Sequence, residues 1–321
     1  MSTQKDHNDR EHKEGFSHKL AHFYDKQYKL LMIIPIIITL IAIGIISYSM
    51  IYHGEPIKRD VTLKGGVTVT LSGYPDVSTA EIQDFLRQRF PGKDIEVQTI
   101  SEAGTMKARF IESSDFNEQN ANVLVSALSE KLPGLTKDNY TVETIGASLG
   151  NSFFRETGIA LLVAFLFMAI VVFLYFRVPI PCVAVIFSAF ADIVCTAAVT
   201  VLLGISIGTA GIAAFLMLVG YSVDTDILLT NRVLKRKKGT VLDATFSAMR
   251  TGITMSVAAL AAVVASYFLT HAIVLKQIML ILMIGLIFDI INTWLTNAGI
   301  LRLYYERLDN SKSHHKREDD D

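Results

Sequence analysis

Charge is scarce in this chain. Only 19% of its 321 residues are Asp, Glu, Lys or Arg, and the net charge is −1. Soluble globular chains are nearer to about one quarter charged, whereas here 51% of residues belong to the AVILMFWYC set and mean hydropathy is +0.39. Cysteine is nearly missing. Cys182 and Cys195 both lie in apolar runs and the polar stretch 51–155 has none, which leaves no disulfide framework and no cysteine-rich metal site. No Gly-x-x-x-x-Gly-Lys-Ser/Thr loop occurs, so the chain does not itself hydrolyse ATP, and without a His-Glu-x-x-His run a metal hydrolase has no support. Neither a basic-aromatic surface for nucleic acid nor a cofactor motif is found. The expectation is an integral membrane protein that is not an enzyme and carries no cofactor or metal.

Crossing about 30 Å of hydrocarbon takes about 20 apolar residues in a helix. Six blocks qualify: Leu30–Met50, then Thr157–Phe176, Cys182–Leu203, Thr209–Thr230, Gly252–Thr270 and Gln277–Ala298. The first is longer than a signal-peptide core and ends in Tyr48-Ser-Met-Ile51, with no small-residue cleavage site, so it is expected to stay as an anchor. The chain therefore divides into a leader 1–29, span one at 30–50, a polar domain 51–155, five spans in 156–300 and a tail 301–321. Lys and Arg crowd alternate segments: six cations lie in the leader, Arg177 follows span two, Arg232 and Lys235–Lys238 follow span four, and Arg302 and Arg307 follow span six. The positive-inside rule puts these in the cytoplasm. Both termini are then cytoplasmic, and 51–155 lies outside a multi-pass cell-membrane protein. The tail Ser311–Asp321 reads as solvated and unordered, with His314-His315 at best a weak metal pair.

The polar segment alternates between two periods. Val67–Leu71 alternates as a strand, and Ser78-Thr-Ala-Glu81 is a capping box opening a helix with Ile82, Phe85, Leu86 and Phe90 on one face. Two strands follow at Ile95–Ile100 and Thr105–Ile111. A second helix from about Asn117 is expected to bury Val123, Leu124, Ala127, Leu128 and Leu132, and a last strand runs over Tyr140–Ile145. The order β-α-β-β-α-β predicts a ferredoxin-like α+β domain between spans one and two.

Ionisable side chains inside spans cost about 2.5–3.5 kcal/mol at a helix centre and are functional candidates by default. Asp192 lies in span three, Asp224 and Asp226 in span four, and Asp289 in span six. Residues two apart on a helix point about 200° apart, so Asp224 and Asp226 cannot form one dyad. Arg250, at the cytoplasmic start of span five, either reaches inward to pair with Asp224 as a proton relay or is a plain topological anchor. The small residues of 252–265 place span five in the middle of a bundle.

Several motifs in order resemble the SecF family of protein-export membrane proteins, the smaller partner of the SecD–SecF pair. They are Leu63-Lys-Gly-Gly66, Ile145-Gly-Ala-Ser-Leu-Gly150 at the entry to span two, Val219-Gly-Tyr-Ser-Val-Asp224 with Asn231-Arg232, and Arg250-Thr251. Thr62 stands where the family usually has Asp, and Asp224-Thr-Asp226 replaces the Asn-Asp of bacterial members, a pattern closer to archaeal-type members. The resemblance implies a six-helix half of a transporter of the resistance–nodulation–division superfamily. It further implies a SecD-like partner, work beside the Sec translocation channel on unfolded exported polypeptides, and the proton gradient as energy source. Within it Asp224 and Arg250 are the proton-responsive pair, and Asp226 is the other candidate carboxylate. A homodimeric half-size transporter of a small hydrophobic solute or lipid is the alternative, and an assembly subunit whose aspartates serve packing is a third.

Overall fold

The structure is a computed structural model that describes residues 3–72, 77–102, 105–236, 240–270 and 272–318. Helix α1 (Thr3–His53) carries the leader and the first span as one continuous rod. A short α2 (Val61–Lys64) precedes β1 (Gly66–Ser72), α3 (Thr79–Arg89), β2 (Ile95–Glu102), β3 (Thr105–Ser113), α4 (Ala121–Lys131) and β4 (Tyr140–Ile145). Helices α5 (Ala147–Phe176), α6 (Pro179–Leu202), α7 (Thr209–Leu234), α8 (Val241–Leu269) and α9 (Ile273–Ile291) follow. A π turn at Asn292–Asn297 joins α9 to α10 (Ala298–Glu318).

Among the described residues six helices are long and apolar enough to cross a membrane: Lys26–Tyr52, Ala147–Phe176, Pro179–Leu202, Thr209–Leu234, Val241–Leu269 and Val274–Leu308. Their ends depart from the apolar limits. Helix α5 starts at Ala147, ahead of Thr157, with Asn151, Arg155 and Glu156 on exposed turns. Helix α8 starts at Val241 because Thr240 and Asp243 form a reciprocal capping box, which satisfies two otherwise orphaned N–H groups. The tail, expected to be unordered, continues α10 to Glu318. The side chains of His314 and His315 lie outside the described residues.

The four strands form one sheet in the order β2-β3-β1-β4, with every neighbouring pair antiparallel. Helices α3 and α4 cover one face and enclose Val67, Val69, Leu71, Ile82, Leu86, Ile111, Leu124 and Leu128. Ser78 Oγ accepts from Glu81 N at 3.1 Å to start α3. Val123, expected inside, is exposed, because α4 begins only at Ala121 and turns Leu124 and Leu128 inward. The other sheet face carries Thr68, Gln98, Phe110 and Glu112 and looks across a cleft of about 520 Å³ at the α6–α7 connection and the start of α9.

A strap ties the sheet domain to the bundle. Arg59 and Ile207 form a parallel bridge, with Asp60 N donating to Ile207 O at 3.1 Å and Ile207 N to Lys58 O at 2.8 Å. Thr209 N, at the start of α7, donates to Thr62 Oγ1 at 3.0 Å. Two glycine motifs far apart in sequence make one contact. Gly65 and Gly66 have φ of +81° and +144°, a region other residues adopt poorly. A methyl group at Gly65 would collide with the Ala147 backbone, and one at Gly150 would collide with the backbone of 63–65. The chain leaving the strap therefore lies directly on the first turn of α5.

Within the bundle α6 is central, and not α8, the span expected there from its small residues: 67% of the apolar stretch of α6 is buried, against 17% for α8 and 11% for α5. Apolar side chains of α1, α5 and α8 such as Ile41, Leu162, Leu166 and Phe268 point outward, as a lipid-facing rim does.

Candidate functional site: a buried acid cluster

The central helices carry polar residues at spacing four, which keeps them on one face. On α6 these are Ser188, Asp192 and Thr196; on α7 they are Ser222, Asp226 and Thr230; along α9 and the π turn they are Asp289, Thr293 and Asn297. All nine are buried. The three stripes meet. Ser222 Oγ donates to Asp192 Oδ2 at 2.5 Å, and Asn292 Nδ2 donates to Asp192 Oδ1 at 2.7 Å. Asp226 Oδ1 accepts from Asn297 Nδ2 at 2.7 Å and from Thr293 Oγ1 at 2.9 Å. The same Thr293 Oγ1 lies 3.2 Å from Asp289 Oδ1.

That bridging hydroxyl fixes the chemistry. A threonine owns one O–H proton and can donate it once. It therefore satisfies Asp226 or Asp289, and the second contact is a hydrogen bond only when that carboxyl is itself protonated and donates to Thr293. Burial drives the same way, since an ionised carboxylate away from water is costly without a cation. Among the described residues no Lys or Arg pairs with any of the three aspartates. Asp226 Oδ2 and Asp289 Oδ2 are buried with no hydrogen-bond partner among the described residues. The arrangement suits gain and loss of protons. It offers no activated nucleophile, and among the described residues no group of three or more His, Cys, Asp or Glu could hold a metal.

The structure brings Asp192, Asp226 and Asp289 together and leaves the other two candidates apart. Asp224 and Arg250 are both exposed, and among the described residues neither forms an ion pair. The helical phase of α7 accounts for this, because turning Asp226 inward turns Asp224 outward. Asn292, Thr293 and Asn297, which supply most of the cluster's donors, were not among the sequence candidates. Their signal was the Asp289-Thr293-Asn297 spacing. Ser148, centre of a Gly-x-Ser-x-Gly run, is exposed on α5, and Gly150 serves the close approach to 63–65.

At the other end of α7 lies a second acidic group. Asp60 caps α2, accepting from Thr62 N at 2.8 Å and from Thr62 Oγ1 at 2.6 Å, while Thr62 in turn receives the first N–H of α7. Glu96 accepts from Lys58 Nζ at 2.9 Å and Ser206 Oγ at 2.7 Å. Glu112 stands opposite Glu96 across the sheet. Burial, reinforced by Asp60 and Glu96 and opposed by Lys58, pushes the Glu112 carboxyl up to about 7. Burial also raises Asp60, against its hydrogen bonds from Thr62 and Leu63.

Residues 125–307 match the family "Protein export membrane protein SecD/SecF, C-terminal". The chain belongs to the SecD/SecF protein-export family. It is 40% identical over 288 residues to the protein-export membrane protein SecF of Pyrococcus furiosus, covering 89% of this chain and 94% of that protein. It is 40% identical over 286 residues to the SecF of Methanothermobacter thermautotrophicus, covering 88% and 94%. The crystal structure of SecDF, a translocon-associated membrane protein from Thermus thermophilus, superposes with a TM-score of 0.70 at 20% identity. That match takes in 88% of this chain and 38% of the SecDF chain, so this chain spans well under half of that structure, and the likeness is one of fold. Family membership makes the chain a membrane subunit of protein export.

Proposed function

We propose that this subunit takes its energy from the proton gradient through the Asp192–Asp226–Asp289 cluster. The observation that carries the reading is the single Thr293 hydroxyl shared by Asp226 and Asp289, which ties the number of bound protons to the packing of α7 against α9 and the π turn. Both termini are cytoplasmic in this reading. The 51–155 segment is extracytoplasmic, its βαββαβ order and β2-β3-β1-β4 sheet support a ferredoxin-like unit, and the whole works beside the Sec channel on unfolded polypeptides. The strap at Asp60–Thr62 connects that unit to the N-terminus of α7, so a shift of α7 is felt outside the membrane.

Asp224 has a different part. An exposed carboxylate at membrane depth is costly against lipid, so the α7 face bearing Asp224 and Tyr221, with Arg250 on neighbouring α8, is the face the SecD-like partner covers. The pair Asp224 and Arg250 then completes a relay only in the assembled complex.

The test compares Asp226→Asn, Asp289→Asn and Asp224→Asn in membrane vesicles, scoring stimulation of export by an imposed proton gradient. Recovery of the partner in mild detergent is scored in parallel. Asp226→Asn and Asp289→Asn should lose at least about a hundredfold of the gradient-dependent rate while retaining the partner, in the range seen for loss of a proton-transfer group. Asp224→Asn should weaken recovery of the partner. Normal gradient-dependent export in Asp226→Asn would sink the proton role, and recovery of a homodimer alone would favour a half-size transporter.

A further inference from the structure

The π turn is where α9–α10 meets the cluster, and its geometry has a cost. Its backbone spacing is i to i+5, seen in Ala298 N donating to Thr293 O. Residues 292 and 297 would point about 140° apart on an α-helix; the wider turn brings both Asn292 and Asn297 onto carboxylates of the cluster. A ladder that widens and then narrows again passes over a carbonyl, and single π turns are marginal unless something holds them. The next carbonyl after Thr293, that of Trp294, accepts from the Tyr24 hydroxyl at 2.7 Å. Tyr24 comes from the far end of the chain, on the cytoplasmic stretch of α1 ahead of the first span, and it is buried. Its ring meets Phe246 of α8 edge-on at 5.6 Å. One turn later Tyr28 donates to Glu306 and lies beneath Arg302 at 4.1 Å. The π turn is thus held by Tyr24 of α1 at the Trp294 carbonyl, and on its α8 side by Gly252, where any side chain would collide with the Trp294 ring.

We propose that Tyr24 is a positioning residue for the buried acid cluster, its hydroxyl locking the π register that lets Asn292 reach Asp192 while Asn297 reaches Asp226. Without that bond the turn relaxes towards α spacing. Removing one residue from a helical turn rotates everything beyond it by about 100° and shifts it by about 1.5 Å, which withdraws Asn297 from Asp226 and breaks the Tyr28–Glu306 contact. The charged groups facing this region are Arg302 and Glu306 on α10, and Asp192, Asp226 and Asp289 from α6, α7 and α9. Burial, slightly opposed by Arg302, pushes the Tyr24 phenol up to about 12, so it remains a donor across physiological pH and is not itself the sensor. The effect on proton binding rests on the proton reading given above; the effect on the π turn does not.

Two measurements on Tyr24→Phe, which keeps the ring and removes only the hydroxyl, separate these. Backbone hydrogen exchange at fixed pH should rise about tenfold across 294–299, the opening expected from losing one buried hydrogen bond. The midpoint of gradient-dependent export against pH should move by about one unit, the size of shift such a bond represents. Phe246→Leu trims the ring contact and should lower the melting temperature while leaving the midpoint in place. Unchanged exchange at 294–299 in Tyr24→Phe overturns the proposal outright. Raised exchange with an unmoved midpoint, in a background where Asp226→Asn abolishes the gradient response, overturns the positioning role and leaves the proton reading intact. A gradient response untouched by Asp226→Asn fails the proton reading instead, and the exchange result then decides the π lock alone.

Discussion

Glu112 should make the junction between sheet domain and bundle sensitive to pH in a calculable direction. It sits on β3 opposite Glu96 on β2, with Thr68 of β1 on its other side. Asp60 adds to the negative charge, and Lys58 is already committed to Glu96 at 2.9 Å. Its carboxyl moves from the usual 4.5 to about 7. A raised acid binds its proton more tightly in the folded state than in the unfolded one. Its stabilising contribution is therefore complete below about pH 4.5, falls as pH rises towards 7, and is gone above that. At 1.36 kcal/mol per unit the swing is about 3 kcal/mol. Glu112→Gln keeps the shape and deletes the titration. Hydrogen exchange of β3 amides in the detergent-solubilised protein, corrected for intrinsic rates, should lose on the order of a hundredfold in protection between pH 5 and 8 in the native chain. In Glu112→Gln most of that loss should vanish, leaving a smaller slope of the same sign from Asp60, which is also raised. Protection that rises with pH in the native chain, or an identical slope in both proteins, would refute the electrostatic account of this junction.

Two further substitutions test packing. Gly252→Val should drive the Trp294 ring from its place and destabilise the bundle by about 1–3 kcal/mol, the usual cost of overpacking, read as a lower melting temperature in detergent with the partner still bound. Leu124→Ala empties a fully buried site between α4 and the sheet and should cost about 2–5 kcal/mol. Limited proteolysis should then cut the sheet domain while the six long helices stay intact, and a uniform loss of protection along the chain would argue against a separately cooperative sheet domain.

The spans were legible because about twenty apolar residues admit one interpretation, and the strands because alternation over five residues is incompatible with a helix. Helix ends were not, since polar turns extend α5 and α8 beyond the apolar blocks, although Thr240-x-x-Asp243 was a visible cap. The site was half legible. Composition exposes each intramembrane aspartate, yet hydropathy is the same whichever side of α7 faces inward. Asp224 and Asp226 could be told apart as not sharing a site, but the inward one depends on packing against α6 and α9. The π turn leaves no mark in the sequence, because it is a one-residue change of register held by Tyr24, a residue some 270 positions away. The double-glycine motif carries no mark of Asp60, which the structure joins to Thr62 through a 2.6 Å hydrogen bond.

Helix α7 links these observations. Its first N–H is held by Thr62 in the strap, its inner face carries Ser222 and Asp226, and its outer face carries Asp224. A helix of this length moves as a rod, since its internal hydrogen bonds leave little freedom for independent bending. In the proposed reading, a change in the proton count between Asp226 and Asp289 changes which of the two contacts Thr293 keeps, and so the packing of α7 on the π turn. The same displacement reaches the strap at one end and the Asp224 face along its side. On the proposed function, proton binding, partner contact and the attitude of the sheet domain are three readings of one helix position. Cutting the strap by Thr62→Val should uncouple the sheet domain from gradient-driven export without abolishing proton uptake at the cluster.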